Sequence, residues 1–281
     1  MLGFLVVDKP EGITSHDVVK EVRKLVKDKV GHCGTLDPLA TGILILSVGK
    51  ATRLSEYLLK QDKCYLVKGV FGYDSDTYDT DGNVKKVECE TISKEELEAT
   101  LSKFKGKIKQ VPPPFSAVRI KGKKAYELAR KGEKVELPER EIEIYEIELI
   151  DYNIPEFVLN VCCSSGTYVR SLVYDIGKSL GCSAIVSELR RTKIGKITLN
   201  ETVKLSQLNR ENISKYLLSP EKILPFPTLS LTEEPSFKRF KNGAPLKVKE
   251  KDGLYSVMLN EKFIGVGRVK NNVLKAEKVI L

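Results

Sequence analysis

Gly31-His32-Cys33-Gly34-Thr35-Leu36-Asp37-Pro38-Leu39-Ala40-Thr41-Gly42 is a turn-rich stretch that leads into an apolar run, Ile43 to Val48. Three glycines and an Asp-Pro step punctuate the backbone, and the run after them reads as a strand. Upstream, Thr14 and Asp17 make a capping-box pattern, and Val18, Val19, Val22, Leu25 and Val26 follow helical spacing up to a stop before Gly31. Leu2 to Val7 reads as a further strand. Strand, helix, loop and strand therefore follow in order, and loops held by such scaffolds often carry functional groups. By itself, Asp37 before Pro38 is a turn residue or a helix cap, because Asp-Pro is ordinary turn chemistry.

Downstream, Ala51 to Lys60 has the pattern of a short amphipathic helix and Tyr65 to Phe71 that of a strand. Asp74 to Gly82 is a polar loop with Asp76, Asp79 and Asp81. Their spacing lacks the glycine and terminal glutamate of a calcium loop, so an exposed polar turn is expected. Ser93 and Glu96 form a second capping box, with Leu97, Leu101 and Phe104 on the buried face. Ile142 to Leu149 and Phe157 to Cys163 read as strands, and a helix opens near Thr167 and stops at Gly181.

The net charge is +9 and the pI about 9.1, which favours a polyanionic partner. Leu101 to Arg140 holds twelve Lys or Arg against four Glu, so most of that charge is local. The same segment contains Pro112-Pro113-Pro114 and loses clean periodicity, as expected of a basic flap with a short helix around Tyr126 to Arg130. Pro225-Phe226-Pro227 reads as a linker, and the short apolar runs beyond it as a small β-rich unit. An α+β chain is expected, with a mixed, mainly antiparallel sheet in residues 1–227 and a β-rich domain in 228–281.

Six cysteines without a Cys-x-x-Cys pair, and only two histidines, argue against a metal site. Cys162 and Cys163 fall in a strand whose alternation sends them to opposite faces, where they read as buried small hydrophobes. No apolar stretch approaches the ~20 residues that cross a bilayer, and Met1 to Pro10 has no signal-type pattern, so a cytoplasmic protein is expected. Gly49-Lys50-Ala51-Thr52 lacks the glycine spacing of a phosphate-binding loop.

A series of ordered motifs is more specific. Asp8-Lys9-Pro10-x-Gly12-x-Thr14-Ser15, the Gly31 to Gly42 loop, Lys63-x-Tyr65 and Asp76-Thr77-x-Asp79-x-Asp81-Gly82 come first. Pro112-Pro113-x-x-Ser116-Ala117, Gly166-Thr167-Tyr168-Val169-Arg170-Ser171 and Leu189-Arg190-Arg191 follow. Together, over roughly residues 4 to 225, the sequence resembles the tRNA pseudouridine synthase B family. That resemblance implies a cofactor-free isomerisation of a T-loop uridine in tRNA, with Asp37 as the catalytic carboxylate and Arg170 as its partner. It implies that Tyr65 stacks on the base and helps to handle the C5 proton, that Tyr168 and Leu189 line the base pocket, and that His32 replaces stacking lost when the uridine is extruded. It also implies phosphate contacts from the insertion about 103–140, at Arg119, Lys121, Lys123 and Lys124. The tail resembles a small PUA-like RNA-binding domain, and no exposed apolar helix face calls for a second copy, so a monomer is expected. Two other readings are a guide-RNA-dependent pseudouridine synthase and a non-catalytic RNA-binding or RNA-folding protein.

Overall fold

The computed structural model of the chain describes residues 1–116, 118–120, 122–129, 131 and 137–280, with only the main chain described at Arg119, Ile120, Lys123 and Lys124. β1 (Leu2–Lys9), α1 (Ser15–Val26) and β3 (Thr41–Gly49) follow the order expected from the sequence, while β2 (Val30–His32), a short strand paired to β3, opens the stretch read as loop. Thr14 caps α1 through both halves of the capping box: its hydroxyl accepts from Asp17 N–H, and the Asp17 carboxylate accepts from Thr14 N–H. A 3-10 turn (Lys50–Leu54) and α2 (Ser55–Leu59) share the stretch expected as one helix. β4 (Lys63–Phe71), β5 (Tyr73–Ser75), β6 (Val84–Lys86), α3 (Lys94–Lys103) and β7 (Gly106–Gln110) come next. The basic insertion contains the small hairpin β8 (Arg119–Ile120) and β9 (Lys123–Lys124), then α4 (Ala125–Ala129). β10 (Arg140–Asn153), β11 (Glu156–Cys163), α5 (Val169–Ser179), β12 (Ala184–Ile194), β13 (Ile197–Thr198), β14 (Val203–Lys204) and α6 (Pro220–Ile223) complete the larger unit.

One mixed sheet runs β14-β1-β3-β12-β4-β11-β10-β7, with β2 and β13 attached at β3 and β12. Its neighbours are antiparallel except for β1 with β14 and β3 with β12. The decisive crossover is β12, which enters between β3 and β4 although these are consecutive long strands. Leu189-Arg190-Arg191 is thereby seated beside the start of β3, where the Gly31 to Gly42 loop ends.

Alternate residues of the sheet, including Val67, Leu159 and Val161, pack against Val18 of α1, Leu97 of α3 and Leu172 of α5. Burying each such side chain contributes about 1.5–3 kcal/mol. The other face of β1 and β3 holds Phe4, Val6, Ile43 and Ile45 in a second cluster.

β15 (Thr228–Leu231), α7 (Glu234–Lys241), β16 (Leu246–Lys247), β17 (Gly253–Leu259), β18 (Lys262–Lys270) and β19 (Val273–Val279) form the expected β-rich unit, in the sheet order β15-β17-β18-β19-β16. It has its own core of Phe240, Val257 and Leu274. Met258, Phe263, Val266 and Ile280 also join the cluster of Phe4 and Ile43, and Arg53 Nη1 donates to Val279 O at 2.9 Å. The stretch expected as a linker is packed as well, with Phe226 edge-on to Tyr57 at a centroid distance of 5.0 Å.

The cysteine expectation needs correction. Cys163 is buried in the core, but Cys162 faces Cys64 across the β4–β11 pairing and forms a disulfide with it. Cys89 and Cys182 form another. Alternation gave the right faces; it could not reveal that a distant strand places a second cysteine in register. No described helix is long and apolar enough to cross a membrane.

Candidate active site

The loop from Gly31 to Gly42 is held from below. Buried Ser15 on α1 donates to Leu36 O at 2.9 Å and accepts from Leu36 N–H at 2.8 Å. Lys9, fully buried at the end of β1, donates through Nζ to Pro10 O, Ile13 O and Pro38 O at 2.8, 2.8 and 3.1 Å. Burial lowers its ammonium to about 8, opposed by the charges of Asp37 and Glu11. Gly12 N–H donates to Pro38 O, and Ala40 N–H closes a turn onto Asp37 O. Asp37 is therefore presented on a fixed backbone, with its side chain about one-third exposed.

Arg170, at the start of α5, meets it. Its Nε lies 2.8 Å from Asp37 Oδ2. Both Nη atoms are also held: Nη1 donates to Thr77 O at 2.7 Å and lies 3.5 Å from Asp79 Oδ2, and Nη2 donates to Phe115 O at 3.1 Å. The Arg170 side chain is only 6% exposed, so the contact is made largely out of water, where charge-assisted bonds are strong and geometry matters.

Asp79, named in the sequence only as part of a motif and an expected polar turn, is a neighbour of the site. Expected in an exposed turn, it is buried, because the β5–β6 loop folds against β12: Val186 N–H donates to Tyr78 O and Thr80 N–H to Val186 O. Its carboxylate accepts from the Thr77 hydroxyl and Asp81 N–H. Burial pushes its carboxyl up, while Thr77 and Arg170 hold it down. The motif spacing had named Asp79; only the burial was hidden.

Tyr65 is buried on β4, and burial raises its hydroxyl above the usual range, with Arg191 opposing that rise. Leu189 is buried on the same side of β12, opposite Val67. Tyr168 caps α5 half-exposed, its main chain clamped by Gln110, whose Oε1 accepts from Tyr168 N–H at 2.8 Å and whose Nε2 donates to Tyr168 O at 3.0 Å. Arg140 lies over the Tyr168 ring at 5.5 Å. His32 sits on β2 with Nδ1 buried and unpaired among the described residues; burial lowers its pKa first, then the charge of Arg191. Arg170 thus meets Asp37 directly, and Tyr168 shares its helix start. His32 and Tyr65 both feel the charge of Arg191.

Of the expected phosphate contacts, Arg119, Lys123 and Lys124 lie in the β8–β9 hairpin, with their side chains outside the description, and Lys121 lies outside the described residues. No group of three or more His, Cys, Asp or Glu that could hold a metal occurs among the described residues.

The fold is that of the pseudouridine synthases. Two solved structures share it at a TM-score of 0.74 and 24% identity, over 99% of this chain and 85% of theirs: an H/ACA ribonucleoprotein bound to a substrate RNA containing 2′-deoxyuridine, and a Cbf5-Nop10-Gar1 complex. In sequence, residues 22–169 match the TruB family pseudouridylate synthase N-terminal domain, and residues 170–224 the tRNA pseudouridylate synthase B C-terminal domain. Relatives named tRNA pseudouridine synthase B are 42% identical in Aquifex aeolicus, over the whole of both chains, and 41% identical in Fusobacterium nucleatum, over 98% of each. The chain belongs to the TruB family of pseudouridylate synthases.

Proposed function

We propose that this chain converts the T-loop uridine at position 55 of tRNA to pseudouridine, with Asp37 as the essential carboxylate. The observation that carries the reading is the 2.8 Å contact of Asp37 with a buried Arg170 whose two Nη atoms are each held by another main-chain carbonyl. RNA binding alone has no need of a carboxylate aimed in this way.

The reaction is redox-neutral. The C1′–N1 bond breaks, the uracil turns, a C1′–C5 bond forms, and C5 loses a proton while N1 gains one, so no cofactor is required. The uridine must first leave its stack, at a cost of a few kcal/mol that pocket contacts offset. Asp37 acts on the extruded nucleotide, and Arg170 keeps its carboxylate in one orientation. Tyr65 packs under the base and its hydroxyl takes part in handling the C5 proton. Tyr168 and Leu189 wall the pocket, and His32, neutral at physiological pH, takes over stacking in the RNA loop.

Residues 1–227 form the catalytic unit in this reading. The insertion about 103–140 closes over RNA phosphates, and residues 228–281 act as a PUA-like RNA-binding unit. The chain works as a monomer in the cytoplasm, on the T stem-loop and without a metal.

The test is tritium release from an unmodified tRNA transcript labelled at uracil C5, with the modified position mapped. Release confined to the T-loop uridine by the purified chain alone, and absent with Asp37→Asn, is expected. Dependence on an added guide RNA would instead support the guide-dependent reading. Tight binding without release would support a binding or folding protein.

A further inference from the structure

Arg191 is among the largest fully buried side chains, at 1% exposure, and its guanidinium donates to three main-chain carbonyls. Nε donates to Ile43 O at 2.8 Å, Nη1 to Thr35 O at 3.2 Å and Nη2 to Gly34 O at 3.1 Å. An arginine keeps its charge at any accessible pH, so burying one costs free energy that three carbonyls only partly offset. Joining two strands does not by itself require a charge.

Its position explains the need. In the β12–β4 pairing Arg191 stands directly opposite Tyr65, and in the β12–β3 pairing directly opposite Gly42, the residue that ends the loop bearing Asp37. The fork grips that loop at Gly34 and Thr35, just before Asp37. One side chain thus spans the carboxylate's loop and the tyrosine's strand. Its charge also opposes the rise that burial imposes on the Tyr65 hydroxyl, and helps to keep His32 neutral.

We propose that Arg191 is a positioning residue for the reaction, holding the Gly34 to Asp37 loop in register with Tyr65 and placing a fixed positive charge between them. This rests on the reading of the chain as a uridine isomerase that uses both residues. Lysine at this position keeps the charge but loses the fork; methionine keeps bulk and loses both.

The experiment is single-turnover tritium release between pH 6 and 9.5 for wild type, Arg191→Lys and Arg191→Met, with tRNA affinity and melting temperature measured alongside. Arg191→Lys should slow the reaction by about tenfold and Arg191→Met by about a hundredfold, with tRNA affinity changed by less than about threefold. Carbon-13 tyrosine NMR titrated to well above pH 10, with Tyr65 assigned through Tyr65→Phe, should show Tyr65 titrating at higher pH in Arg191→Met than in wild type, without any reliance on turnover. Wild-type rates in Arg191→Lys with only a lowered melting temperature would make Arg191 merely structural and overturn the proposal. So would equal losses in rate and affinity, or an unmoved Tyr65 resonance in Arg191→Met. If Arg191→Met fails to fold, Arg191→Lys decides by its rate. Wild type without any release would instead overturn the reading of function.

Discussion

Arg170 reaches Asp37 through Nε alone, at 2.8 Å, while its two remaining nitrogens are held by the carbonyls of Thr77 and Phe115. The carboxylate is therefore oriented by an arginine that cannot turn without breaking contacts to two other loops. Lysine has neither the planar fork nor the reach to keep all of these bonds. Arg170→Lys should lower the single-turnover rate by about tenfold to a hundredfold with little loss of tRNA affinity, measured by rapid quench and filter binding. Matching losses in both would point to a phosphate contact instead.

Asp79 supplies the second carboxylate at Arg170, 3.5 Å away and buried. Asp79→Asn removes its charge and leaves Arg170 with Asp37 as its only acidic partner in this group. Impaired turnover is expected with the fold intact by circular dichroism. Unchanged kinetics would mean that Thr77 and Phe115 suffice to hold the guanidinium.

Gly42 has φ +95°, and a Cβ there would fall 2.2 Å from Arg191 O. Both the backbone conformation and the close approach of β12 require glycine. Gly42→Ala should destabilise by more than about 2 kcal/mol, read as a lowered denaturation midpoint. A midpoint within error of wild type would show that β12 can retreat at no cost.

Asp175 on α5 is half-buried, and burial raises its carboxyl to about 6 from an ordinary 3.8. Between those values the folded state keeps a proton that the unfolded state has lost, so stability falls as pH rises through this window and the cost is fully present above pH 6. Asp175→Asn should stabilise at pH 7.5 by about 1 kcal/mol, allowing for screening at a half-buried site, and the gain should vanish below about pH 4. Denaturant titrations at several pH values check it; a gain that does not vary with pH would refute burial as the cause.

The Cys64–Cys162 bond closes a loop of 98 residues and the Cys89–Cys182 bond one of 93. Reduction should cost about 2–4 kcal/mol per bond through the wider freedom of the unfolded chain. Alkylation under denaturing conditions before and after reduction should count two and six thiols, and the reduced protein should melt lower. Six thiols before reduction would show that the bonds do not form.

What could be read in the sequence was whatever the chain encodes over short distances. The capping boxes at Thr14 and Ser93 both form, and the loop around Asp37 lies where its glycines and Asp-Pro step put it. The β-rich tail has the expected character, because turn residues and alternation act locally. Asp79 was misjudged, since an acidic loop reads as solvated until something covers it. The role of Arg191 was invisible for a related reason: arginine in a basic chain carries no mark of burial.

By itself, then, the sequence determined the elements, the ordered motifs and the loop that carries the carboxylate. The insertion of β12 between β3 and β4 decided the rest. That crossover brings Arg191 opposite Tyr65 and beneath the Asp37 loop, and the packing of the β5–β6 loop against β12 and the start of α5 seats Asp79 against Arg170. Strand register is a property of two segments at once, and the free energy that selects it comes from burying both faces of the sheet together.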